Sequence, residues 1–145
     1  MKLSTKGRYG VKAMFELAIC YGHNPISIKT IAERQSISDY YLEQLFSGLR
    51  KAGLINSIRG AQGGYMLSRC PKDISIADIL NVLEGPIEIS ECILGGEESS
   101  CTKARCCSTR LLWKKISDSV NSVIDNTTLQ DLVDDYKDMN SDKGE

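Results

Sequence analysis

The chain of 145 residues lacks any long apolar run, and nowhere do eighteen apolar residues follow one another. A helix that crosses a bilayer needs about 20 such residues, so a membrane-spanning class is excluded. The start of the chain also lacks the apolar stretch of a secretory signal peptide. We therefore expect a soluble cytoplasmic protein with no membrane partner.

Motifs of redox and cofactor-dependent enzymes are also missing. None of the six cysteines lies in a C-x-x-C pair, and no cofactor-binding loop is present. His23, the only histidine, falls in a predicted turn, where we expect it to be solvated. The sequence therefore predicts that the protein is not an enzyme. A small redox enzyme that uses Cys106 and Cys107 is the alternative.

The net charge of −1 hides a strong asymmetry between the two halves of the chain. Residues 1–72 carry eleven lysines and arginines against four acidic residues, a net charge of +7. Residues 73–145 carry seven against fifteen, a net charge of −8. A basic half of this kind is typical of a protein that binds a polyanion such as DNA. An asymmetry that arose by chance is the alternative.

The spacing of apolar residues is helical over most of the chain and predicts a mainly α fold. The first helix is predicted from about Thr5 to Tyr21. A second, short helix begins after Ser27 and a third after Ser38, because serine is favoured at a helix N-cap. The third helix carries an apolar stripe at spacings of three and four, formed by Leu42, Leu45, Phe46 and Leu49.

A small β-hairpin is predicted directly after these helices. Residues 54–58 and 65–68 resemble strands, and the link from Arg59 to Gly64 contains three glycines. Two helices at a tight turn, the second amphipathic, followed by a hairpin, is the order of a winged helix-turn-helix. We therefore predict a winged-helix DNA-binding domain over residues 1–72.

Residues 73–136 are predicted to form an effector and dimerisation region. Ser75 and Asp78 have the spacing of a capping box at the start of a helix, and Gly85-Pro86 ends that helix. No sustained period follows, and residues 90–107 are predicted to be a cysteine-rich loop.

A long C-terminal helix is predicted over residues 109–126. Its apolar surface exceeds what a small domain needs, so we expect it to form a homodimer interface. Thr127 and Gln130 are predicted to cap a last helix. Residues 137–145 are predicted to form a flexible tail.

The third helix is the predicted reader of a DNA major groove, which an α-helix fits. On its outer side, Gln44 can bond bidentately with adenine, and Glu43 can accept from the N4 amino group of cytosine. Ser38, Tyr40 and Tyr41 can donate to phosphate. A solvated polar surface without a ligand is the alternative.

Arg59 stands at the base of the glycine-rich hairpin turn, where the backbone can approach phosphates closely. From there an arginine can enter a narrow minor groove. Lys6, Arg8 and Lys29 are predicted to add phosphate contacts and to increase the salt dependence of binding. An ordinary hairpin turn is the alternative for the glycines.

Four stretches in the predicted helices and hairpin occur in an order found in a known family. They are Ser4–Gly10, Tyr41–Leu45, Leu49–Leu54 and Ser57–Tyr65. On these stretches the chain resembles the IscR/NsrR/CymR superfamily of bacterial transcription regulators, over about residues 1–136.

The resemblance implies a homodimer on a pseudo-palindromic operator in double-stranded DNA, with the long helix crossing between subunits. It implies that the major groove is read by Ser38, Tyr41, Glu43 and Gln44, and that Arg59 enters the minor groove. The predicted DNA-binding set also includes residues of the matching stretches, namely Tyr9, Gly60 and Gln62.

Four of the six cysteines lie within sixteen residues, and a reducing cytosol favours metal or redox chemistry over structural disulfides. Cys92, Cys101 and Cys107 resemble the three cluster ligands of the iron–sulfur branch of this superfamily. The resemblance implies an iron–sulfur cluster, expected as 2Fe-2S, that controls operator affinity. Arg110 stands where that branch has a histidine, and arginine does not ligate metals. The fourth ligand is left open between Cys106 and an oxygen from the partner subunit.

Three alternatives to this prediction are open. Structural zinc on four cysteines is chemically reasonable, but the loop lacks paired C-x2–4-C knuckles. The second alternative is a metal-free thiol switch, as in the cysteine-metabolism branch, which would need a lowered thiol pKa near Lys103 and Arg105. A protein partner from sulfur metabolism could control such a regulator. A winged helix used only as a protein-protein module would leave the basic half unexplained.

Cys20 and Cys70 are predicted to be small core or surface residues.

Overall fold

The computed structural model describes residues 3–86 and 108–141, which form six α-helices and one two-stranded sheet. The helices are α1 (Thr5–Ile19), α2 (Ile28–Gln35), α3 (Asp39–Lys51), α4 (Ile76–Leu83), α5 (Ser108–Asn126) and α6 (Leu129–Ser141). The strands are β1 (Ile55–Ile58) and β2 (Gly64–Leu67), and a 3-10 turn at Pro71–Asp73 precedes α4. The predicted mainly α fold with one hairpin is confirmed.

The first three helices each begin after a serine. The side chains of Ser4, Ser27 and Ser38 accept hydrogen bonds from backbone N–H groups three residues later, at 3.4, 3.2 and 3.2 Å. Each cap satisfies an N–H group that the start of a helix leaves without a partner. The predicted caps at Ser27 and Ser38 are confirmed.

The end of α1 differs slightly from the prediction, because the helix stops at Ile19 and not at Tyr21. Tyr21 is 45 % exposed and does not share the buried side of the helix with Leu17 and Ala18. Its N–H bonds the Ala18 carbonyl at 3.2 Å in a turn that leaves the helical path. His23 in the following turn is exposed, as predicted.

A third extended segment joins the hairpin to the helices. Ile26, between α1 and α2, pairs with Tyr65 of β2 through two hydrogen bonds, from Ile26 N–H at 3.0 Å and from Tyr65 N–H at 2.8 Å. β1 and β2 pair antiparallel in a register that sets Ile55 opposite Leu67. The hairpin is therefore fixed beside the start of α2.

One hydrophobic core joins both halves of the chain. Met14 of α1 and Phe46 of α3 lie in the same cluster as Ile79 of α4 and Leu129 of α6, and all four are fully buried. The four apolar residues predicted for the third helix are buried in it as well. The predicted boundary at residue 72 therefore does not separate two cores, and the division of roles between the two regions stays a prediction.

The capping box that opens α4 is confirmed, whereas the cap of α6 is shifted by one residue. Thr128 N–H donates to an Asp131 carboxylate oxygen at 2.9 Å, and Asp131 N–H donates to Thr128 Oγ1 at 3.2 Å. Thr127 instead donates its hydroxyl to the Val123 carbonyl at 2.6 Å and so closes α5. The prediction of a cap at Thr127 and Gln130 is therefore wrong.

The last helix, α6, folds back against α1 and continues to Ser141. Val133 is buried, and the Tyr136 ring contacts Phe15 of α1 with centroids 5.4 Å apart. Residues 137–141, where the sequence predicts the start of a tail, are helical but exposed. None of the helices in the described ranges is long and apolar enough to cross a membrane.

Candidate nucleic-acid interface

The outer side of α3 is a polar surface whose direction is set by the buried inner side. The four residues of the apolar stripe are at most 1 % exposed, which fixes the rotation of the helix. With 3.6 residues per turn, Tyr40, Glu43 and Gln44 then face solvent, and all three are exposed. Tyr40 is 73 % exposed although it carries a large ring. This surface offers donors and acceptors that can bond the edges of bases.

The start of α3 holds two more of the predicted contact residues, the N-cap Ser38 and Tyr41 in the first turn. Ser38 Oγ accepts from the Tyr41 N–H at 3.2 Å, which leaves the hydroxyl hydrogen of Ser38 available as a donor. Asp39 adds a carboxylate where the helix dipole favours negative charge. Tyr41 is half-buried, unlike Ser38, so only part of its ring is open to a ligand.

The hairpin tip presents Arg59 and Gly60 to solvent. A hydrogen bond of 3.0 Å from Gly63 N–H to the Gly60 carbonyl closes the turn. Gly64 begins β2 with φ +151°, and a Cβ at this position would collide with the carbonyl group of Ile26. Glycine is therefore required for the close approach that fixes the hairpin beside the helices.

Three predicted phosphate contacts are exposed cations near helix starts. Lys6 and Arg8 lie in the first turn of α1, and Lys29 is the second residue of α2. Helix starts carry partial positive charge and unpaired N–H groups, so cations there add to a region of positive potential. Gln62, in the turn of the hairpin, is exposed as well.

These features are matched by a known family of regulators. The model of the Rrf2 family, described as "Iron-dependent Transcriptional regulator", matches residues 3–135 of the chain. The chain belongs to the Rrf2 family. It is a helix-turn-helix transcription regulator, and the resemblance found in the sequence is confirmed.

Three similar proteins cover most of this Rrf2-family chain. The HTH-type transcriptional regulator CymR of Bacillus subtilis is 51% identical over 132 residues, which are 91% of this chain and 89% of the relative. Its solved structure, titled as that of the global cysteine regulator, has a TM-score of 0.78 and covers 91% of this chain and 95% of that chain. The solved structure of T. potens IscR has a TM-score of 0.76 at 46% identity. The match covers 94% of this chain and 88% of that chain. The IscR of Pectobacterium atrosepticum strain SCRI 1043 is 39% identical over 140 residues, 97% of this chain and 84% of the relative.

In this Rrf2-family regulator, α5 has an apolar surface that stays exposed among the described residues. Among its 19 residues only Ser117 is buried. Leu112, Ile116 and Val123 lie on one side of the helix and are 48, 37 and 64 % exposed. A salt bridge of 2.9 Å between Lys114 and Asp118 lies on a more polar side. The apolar side is suited to contact with another helix.

A carboxylate from the end of α4 caps α1 across 80 residues of sequence. Glu84 Oε1 accepts from Ser4 N–H at 2.8 Å and from Gly7 N–H at 3.3 Å, and it also bonds the Ser4 hydroxyl. The first turn of α1 contains no acidic residue, so Glu84 supplies the negative charge that a helix start favours. Sequence reasoning missed this contact, because no local pattern joins residues so far apart.

A buried carboxylate joins α1 to α2. Glu16 is 7 % exposed, accepts from Gln35 Nε2 at 2.6 Å and lies 3.4 Å from Arg34 Nη1. Hydrogen bonds to Cys20 and to Glu16 raise the pKa of Arg34, whose guanidinium is charged at physiological pH in any case. Cys20 is half-buried at this junction, in agreement with the expected core or surface position.

The clustered cysteines lie outside the described residues. Cys92, Cys101 and Cys107 as ligands, with Cys106 as an alternate, therefore stay a prediction. Within residues 3–86 and 108–141, no group of three or more potential metal-ligating side chains converges. Cys70, like Cys20, is half-buried and forms no disulfide bond.

Proposed function

We propose that this chain is a sequence-specific DNA-binding repressor that acts as a homodimer and responds to the sulfur supply of the cell. The observation that carries the proposal is the exposed pair Glu43 and Gln44 on α3, together with the exposed Arg59 at the hairpin tip. The paired backbones of Ile26 and Tyr65 tie the hairpin to the helices, so both elements would meet DNA as one body.

The major groove is the proposed site of base recognition. Gln44 has the amide geometry for a bidentate bond to adenine, and Glu43 can accept from cytosine N4. Each good bidentate pair discriminates against a wrong base by about 1–3 kcal/mol. Arg59 would reach the adjacent minor groove, where a narrow A·T-rich stretch attracts a guanidinium.

Phosphate contacts would supply affinity without sequence preference. Lys6, Arg8 and Lys29 are exposed at helix starts, where the backbone adds positive potential. Each phosphate that a cation neutralises releases counterions, so the affinity should fall steeply with salt.

The homodimer is proposed from the apolar side of α5 and a groove beside it. The groove has a volume of about 570 Å³, and its apolar walls include Val11 of α1, Ile76 and Leu80 of α4, and Ile124 of α5. A twofold dimer that buries both α5 helices would cover the stripe on each chain with the same stripe of its partner. The two α3 helices would then face half-sites of a pseudo-palindrome, about 34 Å apart.

Sulfur supply is proposed as the signal because the chain is 51% identical to a protein whose solved structure is titled the global cysteine regulator. In this proposal, the thiol state of the cysteine loop or a protein partner from sulfur metabolism controls operator binding. Such a regulator needs no bound metal.

An iron–sulfur cluster is the second candidate for the signal, and the donor set favours it. Four thiols within sixteen residues are the ligand type that holds such clusters. The family description "Iron-dependent Transcriptional regulator" and the IscR relatives agree with it. Cys92, Cys101 and Cys107 would hold the cluster, with Cys106 or an oxygen from the partner subunit as the fourth ligand, because Arg110 cannot serve. When bound, the cluster would supply a group sensitive to oxygen and iron supply.

DNA binding is tested by selecting bound DNA from a random pool with the purified full chain. We expect a pseudo-palindromic site whose affinity exceeds that of unselected DNA by at least about a thousandfold. A pool that stays random after several rounds would contradict the proposed function and would favour a protein-protein module.

The two signals are separated by anaerobic purification, visible absorption, and iron and sulfide analysis. The thiol- or partner-controlled regulator should be colourless and free of iron, and the cluster-binding regulator should be coloured and hold iron and sulfide. Replacing Cys92, Cys101 and Cys107 by alanine should abolish the colour only in the second case. Replacement of Cys20 and Cys70, which are remote in sequence, is the matched control.

A further inference from the structure

Tyr9 differs from the other predicted DNA contacts of α1, because its ring is half-buried against the core. The ring meets that of Tyr41 edge to face, with centroids 5.8 Å apart and planes at 84°. The Lys12 ammonium lies 5.6 Å from the centre of the Tyr9 ring. Tyr9 is thus held among side chains, while Lys6 and Arg8 on the same helix extend into solvent.

Tyr41 is the member of this pair that belongs to the proposed reading surface. Its backbone is fixed in the first turn of α3, where its N–H bonds Ser38 Oγ. The direction of its ring is then decided by two side-chain torsions: χ1 takes one of three staggered positions, and χ2 is broad and roughly twofold. Edge-to-face contact with a neighbouring ring favours some of those positions over others.

The Tyr9 ring packs against the hydrophobic core, on a helix that itself contacts α4. It borders the apolar groove described above, whose walls include Val11, Ile76 and Leu80. The Tyr9 ring therefore stands between the packed helices α1 and α4 on one side and the first turn of α3 on the other.

We propose that Tyr9 is a positioning residue: its ring holds Tyr41 in the orientation that binds DNA, and its own hydroxyl makes no essential contact with DNA. The inference rests on the proposed function, in which α3 reads the operator. It changes the sequence-based assignment of Tyr9 from a direct contact to an indirect one.

The test compares the affinities of Tyr9→Phe and Tyr9→Leu for the selected operator, at protein concentrations high enough that all of the protein is dimeric. Tyr9→Phe keeps the ring and should bind within about twofold of wild type. Tyr9→Leu should bind about three- to tenfold more weakly, which is the size expected for one aromatic pair. The slope of log affinity against log salt should be unchanged in both variants, because no phosphate contact is lost.

A double-mutant cycle with Tyr41→Leu tests whether Tyr9 acts through Tyr41. The double variant should bind no more weakly than Tyr41→Leu alone. Equal losses in Tyr9→Phe and Tyr9→Leu, a lower salt slope in either, or additive effects in the cycle would each overturn the inference.

Phe15→Leu is the matched control, since Phe15 is also a half-buried aromatic residue of α1. Its ring contacts Tyr136 at 5.4 Å and 74°, away from α3. Phe15→Leu should lower stability as Tyr9→Leu does but leave operator affinity unchanged. If Phe15→Leu loses as much operator affinity as Tyr9→Leu, the role of Tyr9 is only structural and the inference is overturned. Gln44→Ala separates the two hypotheses: if it weakens binding while Tyr9→Leu and Tyr41→Leu do not, the proposed function stands and this inference fails.

Discussion

Replacing Lys29 by alanine removes one proposed phosphate contact from each subunit without disturbing the fold. Lys29 is exposed in the first turn of α2 and follows the N-cap Ser27 closely. Alanine is the best helix former, and loss of a cation from a helix start is favourable to the dipole. The free energy of unfolding should therefore change by no more than about 0.5 kcal/mol.

The size of the effect on DNA binding follows from the number of cations on the proposed interface. Lys6, Arg8 and Lys29 occur twice in a dimer, so six phosphates are contacted and the slope of log affinity against log salt should be about −5.4. Lys29→Ala leaves four contacts and a slope of about −3.6. Between 50 and 200 mM salt, the affinity should fall about 2000-fold for wild type and only about 150-fold for the variant.

Fluorescence anisotropy with a labelled operator over that range of salt measures both slopes. Lys137→Ala on α6, which removes an exposed lysine outside the interface, should keep the wild-type slope. If Lys29→Ala also keeps that slope, or if Lys137→Ala lowers it, the location of the phosphate contacts is wrong.

Three further predictions concern the contacts that hold the interface together. Glu84→Ala should lower the free energy of unfolding, measured by urea titration, by about 2 kcal/mol, because it removes a charge-assisted cap from α1. A loss below about 0.5 kcal/mol would count against that cap. Gly64→Ala should lower the free energy of unfolding by about 1–3 kcal/mol and expose the Tyr65 amide to hydrogen exchange, since the new Cβ meets the Ile26 carbonyl. A Tyr65 amide as protected as in wild type would argue against the pairing of Ile26 with Tyr65. The double variant Ile116→Asp with Val123→Asp places charges on the apolar side of α5 and should be monomeric in sedimentation velocity. The control Asp125→Ala on the same helix should stay dimeric. A dimeric double variant would place the subunit contact elsewhere.

The local parts of the fold could be predicted from sequence because they depend on nearby residues. Ser27 and Ser38 fix helix starts through bonds that span three residues, and the stripe from Leu42 to Leu49 follows from the helical repeat. The hairpin was predictable from its glycines. The polar surface of α3 followed directly, since a helix with one buried side must expose the other.

The contacts that unite these parts could not be predicted, because they join distant segments. The Ile26–Tyr65 pair and the cap of α1 by Glu84 each depend on two helices or strands that meet only in the folded chain. The misplaced cap of α6 has a local cause: two adjacent threonines compete, and Thr127 is used by α5. Half-burial of Tyr9 likewise depends on packing against α3, which no periodicity in α1 reveals.

The most direct measurement of the central claim is the affinity of the double variant Gln44→Ala with Arg59→Ala for the selected operator and for unselected DNA. We predict that the operator affinity falls at least about a hundredfold while the affinity for unselected DNA changes little, because one base contact is lost from each groove and the phosphate contacts remain. An operator affinity equal to that of wild type would contradict the account.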